Sequence, residues 1–379
     1  MHKRVILQLS LVEGVGSKKI QMIQSYLERN DLCWTDIAKF DVATFEHQIG
    51  FSSTDALNLR TVLSNEYEVE KEITEAGKNN IHWTTFLDSD YPDQLKHSHN
   101  PPAVLYWQGN QDLKVPFESL AVVGSRAMDG YGKQVLESLL PECVVAGIPI
   151  ISGGALGIDA AAHQISLEYG GKTVVVLGSG LLKPYPEKNR ALFEQVADSG
   201  GFVISGFPLH IPPVAQNFPI RNRVIAGLSH TCLVVQAAEK SGALITAECA
   251  LQEGRNVAAV PGDVFDPLSA GCNNLIKNGA YVVQNSCDIL ELFNIKTVAR
   301  PQLEITTSSH QKNSKKLELV LQLTVAERMV FQSLKKGDNY TFEELLSMTQ
   351  LSLSDLNAIL IELEMKGLIE TTLFGYRLV

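Results

Sequence analysis

The sequence has 379 residues, and none of its six cysteines, at 33, 143, 232, 249, 272 and 287, pairs in a CxxC motif. Zinc knuckles and dithiol redox chemistry are therefore not expected. Most of these residues should be buried thiols, and Cys232 sits inside an apolar run. No stretch reaches the apolar length of a membrane span. The opening Met1-His2-Lys3-Arg4 leads into Val5 to Leu11, which Gln8 and Ser10 interrupt, and no small-residue cleavage site follows. A secretory leader is not expected, so the expectation is a cytosolic protein without membrane insertion. A basic excess is also missing, since the formal charge is −10. Residues 1–119 hold 11 basic and 17 acidic residues (net −6), 120–300 hold 13 and 15 (net −2), and 301–379 hold 8 and 10 (net −2). Any nucleic-acid contact must then be made by a local patch on a surface that otherwise repels phosphate.

Several catalytic signatures are absent as well. No GxGxxG opens a helix, no Gly-Lys-Ser/Thr marks a phosphate-binding loop, and no elbow motif presents a serine nucleophile. A metal cluster and an obvious acid–base set are lacking, so no metal and no cofactor are expected.

What is present is an ordinary globular composition, 45% hydrophobic and 20% charged, with length enough for two or three domains. The spacing predicts a helical domain over 1–85. Ile20, Ile23 and Leu27 mark one helical face. Gly14-Val15-Gly16-Ser17 reads as a tight helical corner, of the kind that can expose N–H groups to a phosphate in helix-hairpin-helix units. Asp90-Tyr91-Pro92, Pro101-Pro102 and Val104–Trp107 suggest a linker and an edge strand that lead the next domain, 86–298. Apolar runs at Leu120–Val123, Ile148–Ile151, Thr173–Leu177, Phe202–Ile204, Thr231–Val235 and Val257–Val260 read as strands, with a short one at Tyr281–Val283. Nearly continuous apolar strands separated by helices predict a Rossmann-like, doubly wound, mostly parallel sheet covered on both faces. Residues 299–316 read as a flexible linker. Residues 317–379 read as a small unit of three helices, at Ala326–Leu334, Thr341–Ser347 and Ser354–Lys366, and a terminal hairpin of wing-like strands.

The chemistry gathers at the predicted strand ends, where open α/β sheets bind ligands. Gly124-Ser125-Arg126 offers close backbone approach and a guanidinium fork suited to phosphate. Ser152, Gly153 and Gly154 can form a nest of donors. Asp159 and His163, four residues apart, read either as loop-fixing groups or as a catalytic pair, the first being favoured. Lys183 and Lys188 surround a Pro-rich loop, and Arg221-Asn222-Arg223 opens a helix after Phe218-Pro219. One of these two arginines can face ligand while the other braces the fold. Ser241, Gly242 and Thr246 begin a further helix, with Glu248 one turn inside. Glu248 would be the general acid of a nucleotide hydrolase, although a surface carboxylate is the stronger reading. Glycines, hydroxyls and arginines together suit holding an extended polyanion better than breaking a bond.

These motifs resemble the bacterial DNA-processing protein A family, also called Smf. The resemblance runs from Asp90-Tyr91-Pro92 through Val122–Arg126, Ser152–Asp159 with Ala162-His163, Val176–Gly180, Tyr185-Pro186, Phe218–Arg223, Ser241–Ala247 and Gly254-Arg255 to Pro261-Gly262. It implies a non-enzymatic protein that binds single-stranded DNA entering the cell in natural transformation, protects it and loads the RecA recombinase on it. It also implies a homodimer formed through the Rossmann-like domain, with apolar positions in 255–285 as candidates for the contact. The DNA would lie at the sheet's carboxyl ends against Arg126, with Lys183, Arg221 and Arg223 as further contacts. The N-terminal helices resemble the family's sterile-alpha-motif-like domain, and the C-terminal unit its winged helix. Where the family often has Ser-Glu after the fourth strand, this chain has Ser205-Gly206. Asp355, Glu362 and Glu364 on the third C-terminal helix, against Lys366, favour protein contact or packing over duplex binding. The competing reading is a nucleotide N-glycoside hydrolase of the lysine-decarboxylase-like Rossmann group, whose Pro-Gly-Gly-x-Gly-Thr-x-x-Glu signature the chain lacks.

Overall fold

The computed structural model describes residues 2–295, 323–334, 340–349, 351–366, 368–372 and 375–378. The expected linker 299–316 lies outside them. By packing, the chain divides into two units, 1–298 and 299–379.

The first unit starts with helices α1 (His2–Ser10), α2 (Ser17–Arg29), α3 (Ser53–Leu63) and α4 (Tyr67–Lys78). Strand β1 (His82–Thr85), the short helix α5 (Asp93–Lys96) and strand β2 (Val104–Gly109) follow. Then come β3 (Leu120–Val123), α6 (Gly130–Val145), β4 (Ile150–Ser152), α7 (Ile158–Glu168), β5 (Thr173–Leu177), α8 (Arg190–Asp198) and β6 (Phe202–Ser205). The second half holds α9 (Asn217–Leu228), β7 (Thr231–Val234), α10 (Gly242–Gln252), β8 (Asn256–Ala259), α11 (Ala270–Lys277), β9 (Tyr281–Val282) and α12 (Ser286–Leu292).

One nine-stranded sheet results, in the order β1-β2-β6-β5-β4-β3-β7-β8-β9. The seven strands from β3 to β9 pair in parallel, and β2 joins β6 antiparallel. Side-chain alternation explains how both faces are filled. Ala121, Val123, Ile151 and Val234 face α9 and α10, whereas Leu120, Val122, Ile150 and Leu233 face α6, α7 and α12. From β3 the chain builds β4, β5 and β6 to one side, then crosses back to place β7, β8 and β9 on the other. The switch point between β3 and β7 opens a crevice at the strands' carboxyl ends.

Two expectations change. Val104–Gly109 is not an edge strand, because β1 pairs outside it, Trp83 opposite Tyr106. The edge strand reads His-Trp-Thr-Thr and carries no apolar run, which is why the pattern hid it. The expected division at residue 85 runs through one shared core. Ile6, Leu9, Ile20 and Leu59 of the first helices pack in the same cluster as Val104, Tyr106, Leu177 and Val203 of the sheet. Polar ties cross the same seam: the Ala103 N–H donates to Ser17 Oγ at 2.8 Å, and the Leu209 N–H donates to Glu72 Oε1 at 2.8 Å. Four cysteines, 143, 232, 249 and 272, are buried thiols, Cys287 is half-buried, and Cys33 is exposed.

The second unit contains α13 (Val325–Ser333), α14 (Phe342–Thr349), α15 (Leu353–Met365) and an antiparallel hairpin, β10 (Ile369–Thr372) with β11 (Gly375–Leu378). Val330, Leu345, Leu356, Leu360 and Leu363 form its core. Thr324 and Glu327 close a capping box at the start of α13.

Candidate nucleic-acid interface

Four chain segments converge at the switch point: the turn after β3, the loop after β4, the first turns of α9 and the start of α10. They enclose a cleft of about 280 Å³. Gly124, Ser125, Arg126, Asp159, Arg221, Asn222, Ser241, Gly242 and Thr246 all line it. Nine of the sequence-derived positions are thus brought together.

Arg221 sits at the back wall, buried, and donates from Nη1 to the carbonyls of Gly153 (2.6 Å) and Val176 (2.9 Å). This explains the glycine at 153: a Cβ there would lie 1.8 Å from Arg221 Nη1. Burial lowers the Arg221 pKa to about 10, so the guanidinium remains charged at neutral pH. Its Nε finds no protein partner. Asp159, also buried, accepts from the N–H groups of Gly153 (3.2 Å) and Ala155 (3.4 Å). Burial pushes its pKa up, with the charge of Arg221 acting against the rise. The brace and the carboxylate therefore fix one loop between them.

His163 is not a partner of Asp159. Its Nδ1 lies 2.7 Å from Thr173 Oγ1, and burial drives its pKa down to about 3, keeping the ring neutral. A catalytic Asp/His pair is therefore ruled out by geometry; each residue fixes a different strand end.

Arg126 is the contrasting arginine, exposed at the mouth. Its guanidinium carbon stands 5.4 Å from the centre of the Phe218 ring, and that of Arg221 stands 5.7 Å from the same ring. The half-buried ring thus lies within cation–π range of two guanidinium groups. Tyr185 meets Phe218 edge-on at 6.0 Å. Close packing sets the turn that carries Arg126: a Cβ on Gly124 would come within 2.7 Å of Ile158 Cγ1. Gly157 has φ +80 and a Cβ there would fall 2.3 Å from the Ser125 carbonyl, so that position also needs glycine. Ser241 caps α10 by accepting from the Ala243 N–H at 3.2 Å, and Gly242 beside it is exposed. That open first turn faces the cleft with its backbone donors.

Other sequence-derived positions lie elsewhere. Ser152 turns inward, donating to the Val122 carbonyl at 2.6 Å. The Gly153 N–H is occupied by Asp159, and the Gly154 carbonyl accepts from Asn189 at 2.8 Å. The Gly153 donor of the expected nest is therefore taken by the fold. Lys183 and Lys188 are exposed on the loop that carries Tyr185 but do not line the cleft. Arg223 is exposed beside Cys249, off the cleft wall. Glu248 is exposed and also absent from the wall. Sequence reasoning did not single out the Phe218 ring, which lines the cleft, or Tyr185 packed against it. Phe218-Pro219 was visible as a motif, but the guanidinium–ring geometry exists only in the folded chain.

A family profile described as DNA recombination-mediator protein A matches residues 82–294, and one described as the DprA winged helix domain matches residues 320–372. Protein Smf of Escherichia coli is 43% identical over 201 residues, covering 53% of this chain and 54% of that protein. DNA processing protein DprA of Streptococcus pneumoniae is 41% identical over 209 residues, covering 55% of this chain and 73% of that protein. The X-ray structure of DNA processing protein A from Streptococcus pneumoniae aligns with TM-score 0.65 and 32% identity, covering 76% of this chain and 95% of that one. A Helicobacter pylori DNA processing protein A, solved for its single-stranded DNA binding mode, aligns with TM-score 0.51 and 27% identity over 56% of this chain and 96% of that one. The motif order, the sheet, the winged-helix match and these likenesses agree: the chain belongs to the DNA-processing protein A (DprA/Smf) family.

Proposed function

We propose that this protein captures single-stranded DNA at the switch-point cleft, shields it and presents it to the RecA recombinase during transformation and recombination. The supporting observation is the half-buried Phe218 ring at the cleft, within cation–π range of the exposed Arg126 and the buried Arg221. An exposed guanidinium can hold a phosphate while an unpaired base stacks on the ring, and a paired base in a duplex has no face free to do so. The Helicobacter pylori relative, described by its single-stranded DNA binding mode, supports the same reading. The protein acts by binding rather than by catalysis. The carboxylate on the cleft wall, Asp159, is held by two backbone N–H groups and by the charge of Arg221. A nucleotide glycoside hydrolase would need an acid free to move a proton to the leaving base.

The homodimer forms through the Rossmann-like half that ends at β9. Tyr281 and Val282 of that edge strand are exposed, and Val264 and Phe265 stand out from the loop after β8. Large exposed apolar side chains beside an unpaired strand edge fit a second copy of the chain. Sedimentation of Phe265→Asp should give a monomer. No helix among the described residues is long and apolar enough to cross a membrane.

The experiment that tests the function compares single-stranded and duplex oligonucleotides of one sequence. Single strands should bind more tightly, weakly dependent on sequence, with affinity falling as salt rises. Equal affinity for duplex would remove the stacking argument, and release of free base from a nucleoside monophosphate would restore the hydrolase.

A further inference from the structure

Helix α15 carries two apolar faces. Leu356, Ile359, Leu360 and Leu363 point into the core of the C-terminal unit. On the other side Ser354, Ala358, Ile361 and Met365 are all exposed, spaced by four, three and four residues. Leu353, two turns before Ile361, widens the row. Leu353 is 66% exposed, Ile361 52% and Met365 84%. A surface helix ordinarily turns polar residues outward, and a helix that is apolar on both sides is one that is covered on both sides. The four-three-four spacing is the seam into which a second helix packs.

Charge selects the occupant. Carboxylates flank the row on both sides, Asp355 and Glu362 on one and Glu364 on the other. Glu343 and Glu344 of α14 are exposed as well. Among the described side chains of this unit no lysine or arginine is exposed. Lys366 is half-buried against Glu327 and stands 4.0 Å from Glu362. Such a surface repels a phosphate backbone. A second copy paired through the same face, in either direction, would set carboxylates against carboxylates. The complement is a helix with an apolar seam and cations on its flanks.

We propose that the outer face of α15 docks an amphipathic helix of a partner protein, one whose apolar seam is flanked by lysine and arginine. The partner's large side chains pack over the small Ser354 and Ala358 and against Ile361 and Met365, and its cations meet Asp355, Glu362 and Glu364. The winged helix is then a protein-docking module on the same chain as the DNA-binding unit. The inference stands whether or not the cleft holds DNA.

The test uses the full chain and two labelled helical peptides with the same leucine seam, one flanked by lysines and the other by glutamates. In fluorescence anisotropy the lysine peptide should bind at least about tenfold more tightly than the glutamate peptide, with affinity falling as salt rises. Ile361→Ser with Met365→Ser should weaken the lysine peptide about tenfold while sparing the melting temperature and single-strand affinity, because both side chains are exposed. Glu362→Lys with Glu364→Lys should reverse the preference between the peptides. The proposal is overturned if neither peptide binds, if both bind equally, or if the double serine variant holds the lysine peptide as before, which would place it elsewhere on an acidic molecule. It is also overturned if that variant turns a dimer into a monomer, lowers the melting temperature or abolishes duplex binding. Those results would give the face to a second copy, to this chain's own first unit or to DNA.

Discussion

Two units of this chain carry helices whose first turns could meet DNA, and they place charge in opposite ways. In the central unit, Arg126 stands exposed beside an aromatic ring, and the acid on the cleft wall, Asp159, is turned back to hold its own loop. In the C-terminal unit, α15 exposes Asp355, Glu362 and Glu364. Lys366, which follows it, is drawn to the buried Glu327 of α13. A winged helix normally suggests duplex contact, but the third helix of this one exposes three carboxylates, which repel phosphate. On the proposed reading, charge placement rather than fold type separates the unit that binds DNA from the one that does not. A molecule of net charge −10 can hold DNA because the contact is local.

The contrast can be sharpened first at Phe218. Replacing it with alanine should cost about 1–3 kcal/mol of single-strand affinity, roughly fivefold to 150-fold, with little change for duplex. Oligonucleotide titration reads this directly. Next comes the buried arginine. Arg221→Met leaves the carbonyls of Gly153 and Val176 unpaired and removes the charge that offsets Asp159, so unfolding in denaturant should show a loss of about 3 kcal/mol. Gly153→Ala should be destabilising for the reciprocal reason, because its Cβ would occupy the guanidinium's place. Both variants act on stability, whereas Arg126→Ala should leave stability within about 0.5 kcal/mol of wild type.

A smaller effect is expected in the C-terminal unit. Burial works against ionisation of Glu327, but hydrogen bonds from Lys366 and Thr324 hold its pKa below the ordinary value of 4.5. A carboxylate whose folded pKa is depressed contributes stability that is fully present above the unfolded pKa and is lost as pH falls through the folded one. The melting of this unit should therefore shift down below about pH 4.5, and Lys366→Met should reduce that shift, the Thr324 hydrogen bonds remaining. The least effect belongs to Glu362→Lys with Glu364→Lys, which should leave single-strand affinity within about twofold, since every residue of the proposed contact belongs to the first unit.

The strands were legible in the sequence wherever burial on both faces demanded continuous apolar runs, as at Thr173–Leu177 and Thr231–Val234. The edge strand His82–Thr85 was not, because it is four residues long and its buried positions are threonines rather than an apolar run. In the site, residue types revealed the chemistry but not the direction of each group. Arg126 and Arg221 look alike in sequence, yet one is exposed and the other is a buried brace. Ser152 and Gly153 looked like ligand donors until their hydrogen bonds placed them inside the loop. The role of Phe218 depends on two guanidinium groups arriving from a strand-end turn and a helix 95 positions later, a juxtaposition no local pattern encodes.

The most direct test is the salt dependence of oligonucleotide binding by the wild-type chain and by Arg126→Ala. The variant should bind every single-stranded sequence about tenfold to 100-fold more weakly, with a log–log salt slope shallower by about one phosphate contact. An unchanged affinity and slope would mean that the strand is held somewhere other than the β3–β7 cleft.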